Sequence, residues 1–199
     1  MTDENGLALQ VMTIFYFRVM NMNRNNVIGI SAVVIAAAAL RLLFNEFQIW
    51  NFNPLVAVCL FAGAHFTDKK FAFLVPFAVM LVTDWIIGLH AQMLPVYLSY
   101  GMIVGLGILL SRKENVVNTL GLSLVSTLVF FLITNLTIWY ASLSMYPHTI
   151  EGQVMSYTAA LPFLRNALVG DLTFTTALFG GWYLINRVKP SLINTIPSR

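Results

Sequence analysis

Six long runs of apolar residues, each interrupted by no more than an occasional polar side chain, set the first limit on what this chain can become. They extend from Val27 to about Phe44, Pro54 to Phe66, Phe71 to about Leu89, about Leu94 to Leu110, Val116 to about Ala141, and about Leu161 to Ile185. In lipid only helices and closed barrels satisfy their own backbone. A barrel strand alternates apolar and polar residues, and these runs do not, so the spacing predicts helices. Composition agrees: 58% of the 199 residues are apolar and 10% are charged, against about 45–50% and about 25% in soluble domains. A water-soluble domain of this size could not hide that much apolar surface. A soluble enzyme, a nucleic-acid-binding domain and a disordered chain are thereby excluded. The expectation is an all-α membrane protein with six transmembrane helices, and six spans of roughly 20 residues leave little chain for a soluble domain.

The second run is short. At 1.5 Å per residue it covers only about 20 Å, so it must borrow flanking residues or sit in a thinner part of the protein. Residues 27–187 are read as a single six-helix domain, 1–26 as a cytoplasmic leader and 188–199 as a cytoplasmic tail. The leader opens with Asp3 and Glu4, continues through LALQVMTIFYF and reaches Arg18. No small-residue cleavage site follows, which argues against a signal peptide. It reads either as an amphipathic helix on the membrane surface or as a leader ahead of a later start at Met12, Met20 or Met22.

Basic residues orient the helices. With the N-terminus in the cytoplasm, nine of the eleven Lys and Arg residues face inward: Arg18, Arg24, Lys69, Lys70, Arg112, Lys113, Arg187, Lys189 and Arg199. Only Arg41 and Arg165 face outward. That is a positive-inside pattern, and it predicts both termini in the cytoplasm. The net charge of +3 is therefore no sign of nucleic acid. The inner loops are tight. The outer segments, NEFQIWNFN (45–53) and SLSMYPHTIEGQVMSYTAA (142–160), are long and aromatic. Long loops are often functional, although aromatic residues also form belts at the membrane interface.

Polar groups within spans are costly and usually functional. Asp84 lies toward the outer end of the third run, and Tyr97 and Tyr100 lie in the outer half of the fourth. Asn135 is in the outer half of the fifth, with Trp139 above it. Tyr146 and His148 are in the long outer loop. Arg165 and Asn166 lie just inside the outer end of the sixth run, and Asp171 lies roughly 15 Å deep. Cys59 is about six residues into the second run, and Arg41 closes the first. This distribution suits a ligand pocket open to the outside and sealed by an apolar inner half. A channel or proton relay would need polar groups along its whole path. Arg165 and Asp171 are six residues apart and do not share a helix face, so Arg165 is expected to pair with Asp84, either as a lock for the bundle or as part of the pocket wall.

Cys59 is the single cysteine, so no intrachain disulfide forms. It is either a small buried hydrophobe or a soft ligand facing the pocket. His65 reads as a packed or snorkelling residue, and His90 as a loop residue. Ala32 and Ala36 make a small-xxx-small face on the first helix, and Gly101, Gly105, Gly107, Gly180 and Gly181 make others. No Walker A, HExxH or GxSxG motif is present. Gly170-Asp171 gives half of an intramembrane aspartyl protease signature, but Leu168 stands where that signature needs glycine.

The phrases FNPLVAVCLFAGAHF (52–66), LVTDWIIGLH (81–90), NLTIWY (135–140) and LPFLRNALVGDLTFTTALFG (161–180) resemble a family of small bacterial membrane transport proteins. That family is similar in turn to the substrate-binding S components of energy-coupling factor (ECF) vitamin transporters. The resemblance covers roughly residues 27–187. It implies an outward pocket for a vitamin, and docking through an alanine face onto a coupling subunit driven by ATPases. Ala32 and Ala36 fit such a face. Some solitary cobalamin-transporting relatives use a cysteine thiolate as cobalt ligand, and Cys59 is the one residue here that could serve. The expected function is therefore micronutrient uptake, with no enzymatic activity, no intrinsic cofactor and cobalamin as the first candidate substrate. The alternatives are another vitamin or a nucleobase-like precursor, or a membrane enzyme that uses Asp84 and Asp171. A subunit serving assembly alone is less favoured by the outward polar groups.

Overall fold

The structure, a computed structural model, describes residues 24–139 and 146–193. Among these the chain is helical throughout: α1 (Arg24–Glu46), α2 (Leu55–His65), α3 (Lys69–Ile87), α4 (Met93–Leu110), α5 (Val116–Thr134), a 3-10 turn (Thr137–Trp139) and α6 (Ile150–Ile193). Most of the proposed leader and the end of the tail lie outside the described residues. Among the described residues four helices carry segments long and apolar enough to cross a membrane: Lys69–Ile87, Met93–Leu110, Val116–Thr134 and Ile150–Asn186. The chain is thus read as an integral membrane protein. Large side chains on its outer surface fit a lipid-facing role, among them Trp85 at 85% exposure and Val117 at 78%.

The short helix explains itself once its neighbours are known. Every residue from Leu55 to Gly63 is buried. A helix apolar on all sides is an interior helix, and α2 packs against α1, α3, α4, α5 and α6. It forms the core of the bundle, so its 11 residues need not match the bilayer thickness. The closest approach is to α4. A Cβ on Gly63 would collide with the Val104 carbonyl, and one on Gly107 with the Leu60 carbonyl. The two glycines let the backbones touch, as small residues do in membrane bundles.

Local chemistry sets the helix ends. The Asp68 side chain accepts from Lys70 N at 3.0 Å at the start of α3, and Asn115 accepts from Asn118 N at 2.9 Å at the start of α5. Both are N-caps that satisfy otherwise orphaned donors. Gly88 ends α3 at φ +117°, a conformation open to glycine and hardly to other residues.

Three boundaries depart from the apolar runs. The fifth helix stops at Thr134 rather than Ala141, and the sixth starts at Ile150, eleven residues before Leu161, and runs to Ile193, eight residues past Ile185 and into the segment read as the tail. The second half of the expected long outer loop is therefore helix. Its polar side chains had disguised it. Gln153 Nε2 and Ser156 Oγ both donate to the Asn135 carbonyl, at 3.0 and 2.9 Å, and the Tyr157 hydroxyl donates to the Leu132 carbonyl at 3.0 Å. These bonds satisfy the exposed carbonyl end of α5. With 44 residues, α6 is about 66 Å long and outruns a hydrocarbon core of about 30 Å.

Candidate functional site

One group of polar side chains gathers where α1 and α3 end and α2 and α4 begin. Arg41, near the end of α1, reaches across to α3. Its Nη2 donates to Asp84 Oδ1 at 2.6 Å, and its Nη1 bonds Thr83 Oγ1 and approaches the Met80 carbonyl at 3.4 Å. From α4 the Tyr97 hydroxyl donates to Asp84 Oδ2 at 2.9 Å. Asp84 is 1% exposed, and both of its oxygens are engaged. Its charge is compensated by a guanidinium and a hydroxyl from two other helices. The Tyr97 ring is steadied edge-on by Phe77 at 5.5 Å.

One turn further along α4, Tyr100 opens a second group. Cys59 of α2 and Asp171 of α6 lie within electrostatic range of its hydroxyl, as does Arg41, and the Asn53 side chain faces it. Asp171 is 3% exposed, and Thr127 Oγ1 of α5 lies 2.7 Å from its Oδ2. Ser123 and Thr175 bond each other across the same interface at 3.0 Å. The two groups are linked through α4, which carries Tyr97 and Tyr100 three residues apart.

A loop covers this end of the bundle. Phe52 packs edge-on against Phe44 at 5.0 Å and Phe174 at 5.5 Å. Gly170 gives it room on α6, where an added Cβ would stand 3.0 Å from the Phe52 ring. Asn166 Nδ2 donates to the Trp50 carbonyl at 3.3 Å. Positive φ at Gln48 and Asn51 lets the loop turn; asparagine tolerates that region better than most residues.

The family assignment rests on nearly the whole chain. Residues 20–192 match the family described as "Family of unknown function (DUF6580)". The chain belongs to DUF6580. No curated protein and no solved structure matches it.

In this DUF6580 protein the expected residues separate into three sets. Asp84, Tyr97, Tyr100, Cys59 and Asp171 come together. Asn135 serves the corner between α5 and α6: its carbonyl takes two bonds from α6, and its side chain donates to the Phe131 carbonyl at 2.8 Å. Arg165 and Asn166 lie exposed on α6, His148 is exposed and Tyr146 half-buried outside it, and Ala32 and Ala36 are exposed on α1. Trp139 closes the 3-10 turn, and its side chain lies outside those described.

Two expectations need correction. The ion partner of Asp84 is Arg41, not Arg165. α1 packs against α3, which delivers the Arg41 guanidinium to the carboxylate, while Arg165 points away from the bundle. Nor is the half of the bundle below Asp171 purely apolar. Thr119, Ser123, Ser126 and Thr127 are all buried on α5, and Thr175 is buried opposite them on α6. The spacing of the four α5 residues confines them to about 100° of the helix. Single hydroxyls inside apolar runs are easily read as apolar; their shared face was the available signal.

Cys59 is 0% exposed and sits among the core side chains. Reaching its sulfur would require parting α2 from its neighbours. Among the described residues no group of three or more His, Cys, Asp and Glu is placed to hold a metal ion.

Proposed function

We propose that this protein takes up a small polar nutrient across a bacterial inner membrane, binding it at the end of the bundle where Arg41, Asp84, Tyr97 and Tyr100 converge. The carrying observation is the convergence itself. Groups from α1, α3 and α4 meet beneath the loop that precedes α2, with Asp171 of α6 beside them. Membrane proteins place ionisable residues at depth chiefly on substrate or ion pathways. In this reading the chain crosses the membrane six times, with both termini and most basic residues in the cytoplasm and the polar end outside. The covering loop, tied to α6 through Phe52 and Asn166, would move to admit ligand.

Similarity to ECF S components remains part of the proposal. Exposed Ala32 and Ala36 would form the docking face for a coupling subunit. The ligand class is a vitamin or nucleobase-like compound whose amides and ring match Asp84, the two tyrosines and the aromatic loop. The reading does not require Cys59, whose thiol is packed as a core residue. Cobalamin is one compound to be tried. Binding is favoured over catalysis because Asp84 is held by a guanidinium while Asp171 has a different partner on a different helix, a poor arrangement for an acid–base pair.

The test is a thermal-stability screen of the purified protein against vitamins, nucleobases and cobalamin. A ligand at 100 times its dissociation constant stabilises by about 2.7 kcal/mol. The expected result is one compound class that raises the melting temperature of the wild type and leaves Tyr97→Phe and Tyr100→Phe little changed. Stabilisation by no compound, together with undiminished nutrient uptake by cells lacking the protein, overturns the proposal.

A further inference from the structure

Only a protonated Asp171 turns both oxygen contacts of Thr127 Oγ1 into full hydrogen bonds. Thr127 Oγ1 lies 2.7 Å from Asp171 Oδ2 and 3.0 Å from the Ser123 carbonyl oxygen. A hydroxyl has one hydrogen to donate, while a carbonyl and an ionised carboxylate only accept. With Asp171 ionised, Thr127 has two acceptors and one hydrogen. With Asp171 protonated, both contacts become hydrogen bonds. The Asp171 hydroxyl donates to Thr127 Oγ1, and the Thr127 hydroxyl donates to the Ser123 carbonyl.

The surroundings point the same way. Asp171 is 3% exposed, and among the described residues no Lys, Arg or His stands within 4.0 Å of it. The Cys59 thiol of α2 and the Tyr100 hydroxyl of α4 lie within electrostatic range of it. From α5 it is faced by Thr127. The α1 guanidinium of Arg41 is engaged by Asp84. His65 meets α6 further along, at Phe179 and Trp182, with Glu114 on its other side. None of these groups supplies a positive charge to Asp171. An ionised carboxylate buried without a counter-charge is among the costliest arrangements in a membrane protein, and a proton removes that cost. Ser126 Oγ is also fully buried and has no hydrogen-bond partner among the described residues. It is the residue before Thr127 on α5, rotated about 100° from it.

We propose that Asp171 is a proton-binding site: its carboxyl holds a proton while α6 packs on α5, and releases it to water when that interface opens. The proton's role in driving nutrient passage rests on the uptake reading, whereas the site itself does not. Opening would expose Asp171 to water, ionise it and break its bond to Thr127. Reclosing would require a proton from the side to which the bundle is open. Uptake built on such a cycle is linked to the proton gradient.

The experiment uses the full chain in detergent. Difference infrared spectra between acidic and alkaline samples are recorded for the wild type, Asp171→Asn, Thr127→Val and Thr127→Ser, alongside melting temperatures across the same pH range. Aspartate in the closed form is expected to give a protonated-carboxyl band at neutral pH that is lost in Asp171→Asn. That band should shift in Thr127→Val, which removes its hydrogen-bond partner, and return in Thr127→Ser. A carboxyl held protonated by the fold adds stability at low pH and loses it as pH rises through its titration. The wild-type melting temperature should therefore fall with rising pH. Asp171→Asn, whose amide can still donate to Thr127, should lose that part of the dependence. Should Asp171→Asn fail to fold, the Thr127 pair still decides. Absence of the band at neutral pH, or a band unmoved in Thr127→Val, overturns the proposal. So does stabilisation of the wild type by sodium at fixed pH that Asp171→Asn lacks, since that would make the carboxylate a sodium site. A band that behaves as expected in a protein that binds no nutrient leaves the proton site standing and the uptake reading refuted.

Discussion

Removing the charge at Asp84 is the sharpest way to ask how the polar end of the bundle is held. Its carboxylate is 1% exposed and takes Arg41 Nη2 at 2.6 Å and the Tyr97 hydroxyl at 2.9 Å. Asp84→Ala strands a guanidinium whose side chain is itself only 15% exposed. Breaking a buried pair from one side costs roughly 3–5 kcal/mol, a shift of two to more than three orders of magnitude in the folding equilibrium. Tyr97→Phe removes one hydrogen bond to a charged acceptor, about 1.5–3 kcal/mol, and the half-buried position of Tyr97 places it at the lower end. Arg41→Met combined with Asp84→Leu removes both charges together. Replacing a buried pair by apolar side chains is often close to neutral, so the double variant should be more stable than Asp84→Ala alone. The assay is the fraction of monodisperse protein left after heating in detergent, measured across the set as a double-mutant cycle. A double variant no better than the single one would refute the reasoning, because the stranded charge would then not be the source of the loss. Equal effects of Tyr97→Phe and Asp84→Ala would refute it as well.

Three further outcomes follow from packing and hydrogen bonding. Gly63→Leu drives a side chain into the Val104 carbonyl and the Gly107 backbone; a cost of at least about 1–3 kcal/mol is expected, whereas the same change at Gly121, where nothing lies within reach of an added Cβ, should leave the melting temperature nearly unchanged. Gln153→Leu removes the side chain that accepts from Thr137 N at 3.0 Å and donates to the Asn135 carbonyl at 3.0 Å; a loss of roughly 1–3 kcal/mol and faster proteolysis between α5 and α6 are expected, measured by limited digestion. Cys59→Ser puts a hydroxyl at a fully enclosed core position; it should destabilise by about 1–3 kcal/mol if no partner is found, with Cys59→Ala milder in the same thermal assay.

Apolar periodicity located the helices well because burial in lipid or protein makes a helix nearly uniformly apolar. The starts of α3, α4 and α5 fall within two residues of the apolar runs. The rule failed where a helix hides polar side chains. Residues 150–160 carry Gln153, Ser156 and Tyr157, which pair with the end of α5, so helix passed for loop. The candidate site was legible in part. Asp84, Tyr97, Tyr100 and Asp171 are conspicuous in apolar runs, and depth along each run put the first three toward one end and Asp171 deeper. Thr83 and Thr127 were not legible, because a lone hydroxyl barely changes the apolar character of a run. The partner of Asp84 was misread for a different reason: depth places Arg41 and Arg165 at the same level, and only packing chooses between them.

The sequence by itself determined that this chain folds as helices fit for a membrane, where those helices run and at which end charge and aromatic residues collect. These properties are local, set by the cost of unsatisfied backbone and of exposed apolar or buried polar groups in each segment. The tertiary structure decided which helix is central, which arginine meets Asp84 and that Thr127 of α5 meets Asp171. Those choices depend on rotation and contact between segments far apart in the chain. Gly63 against Gly107 and Arg41 against Asp84 exist only once the helices have found each other.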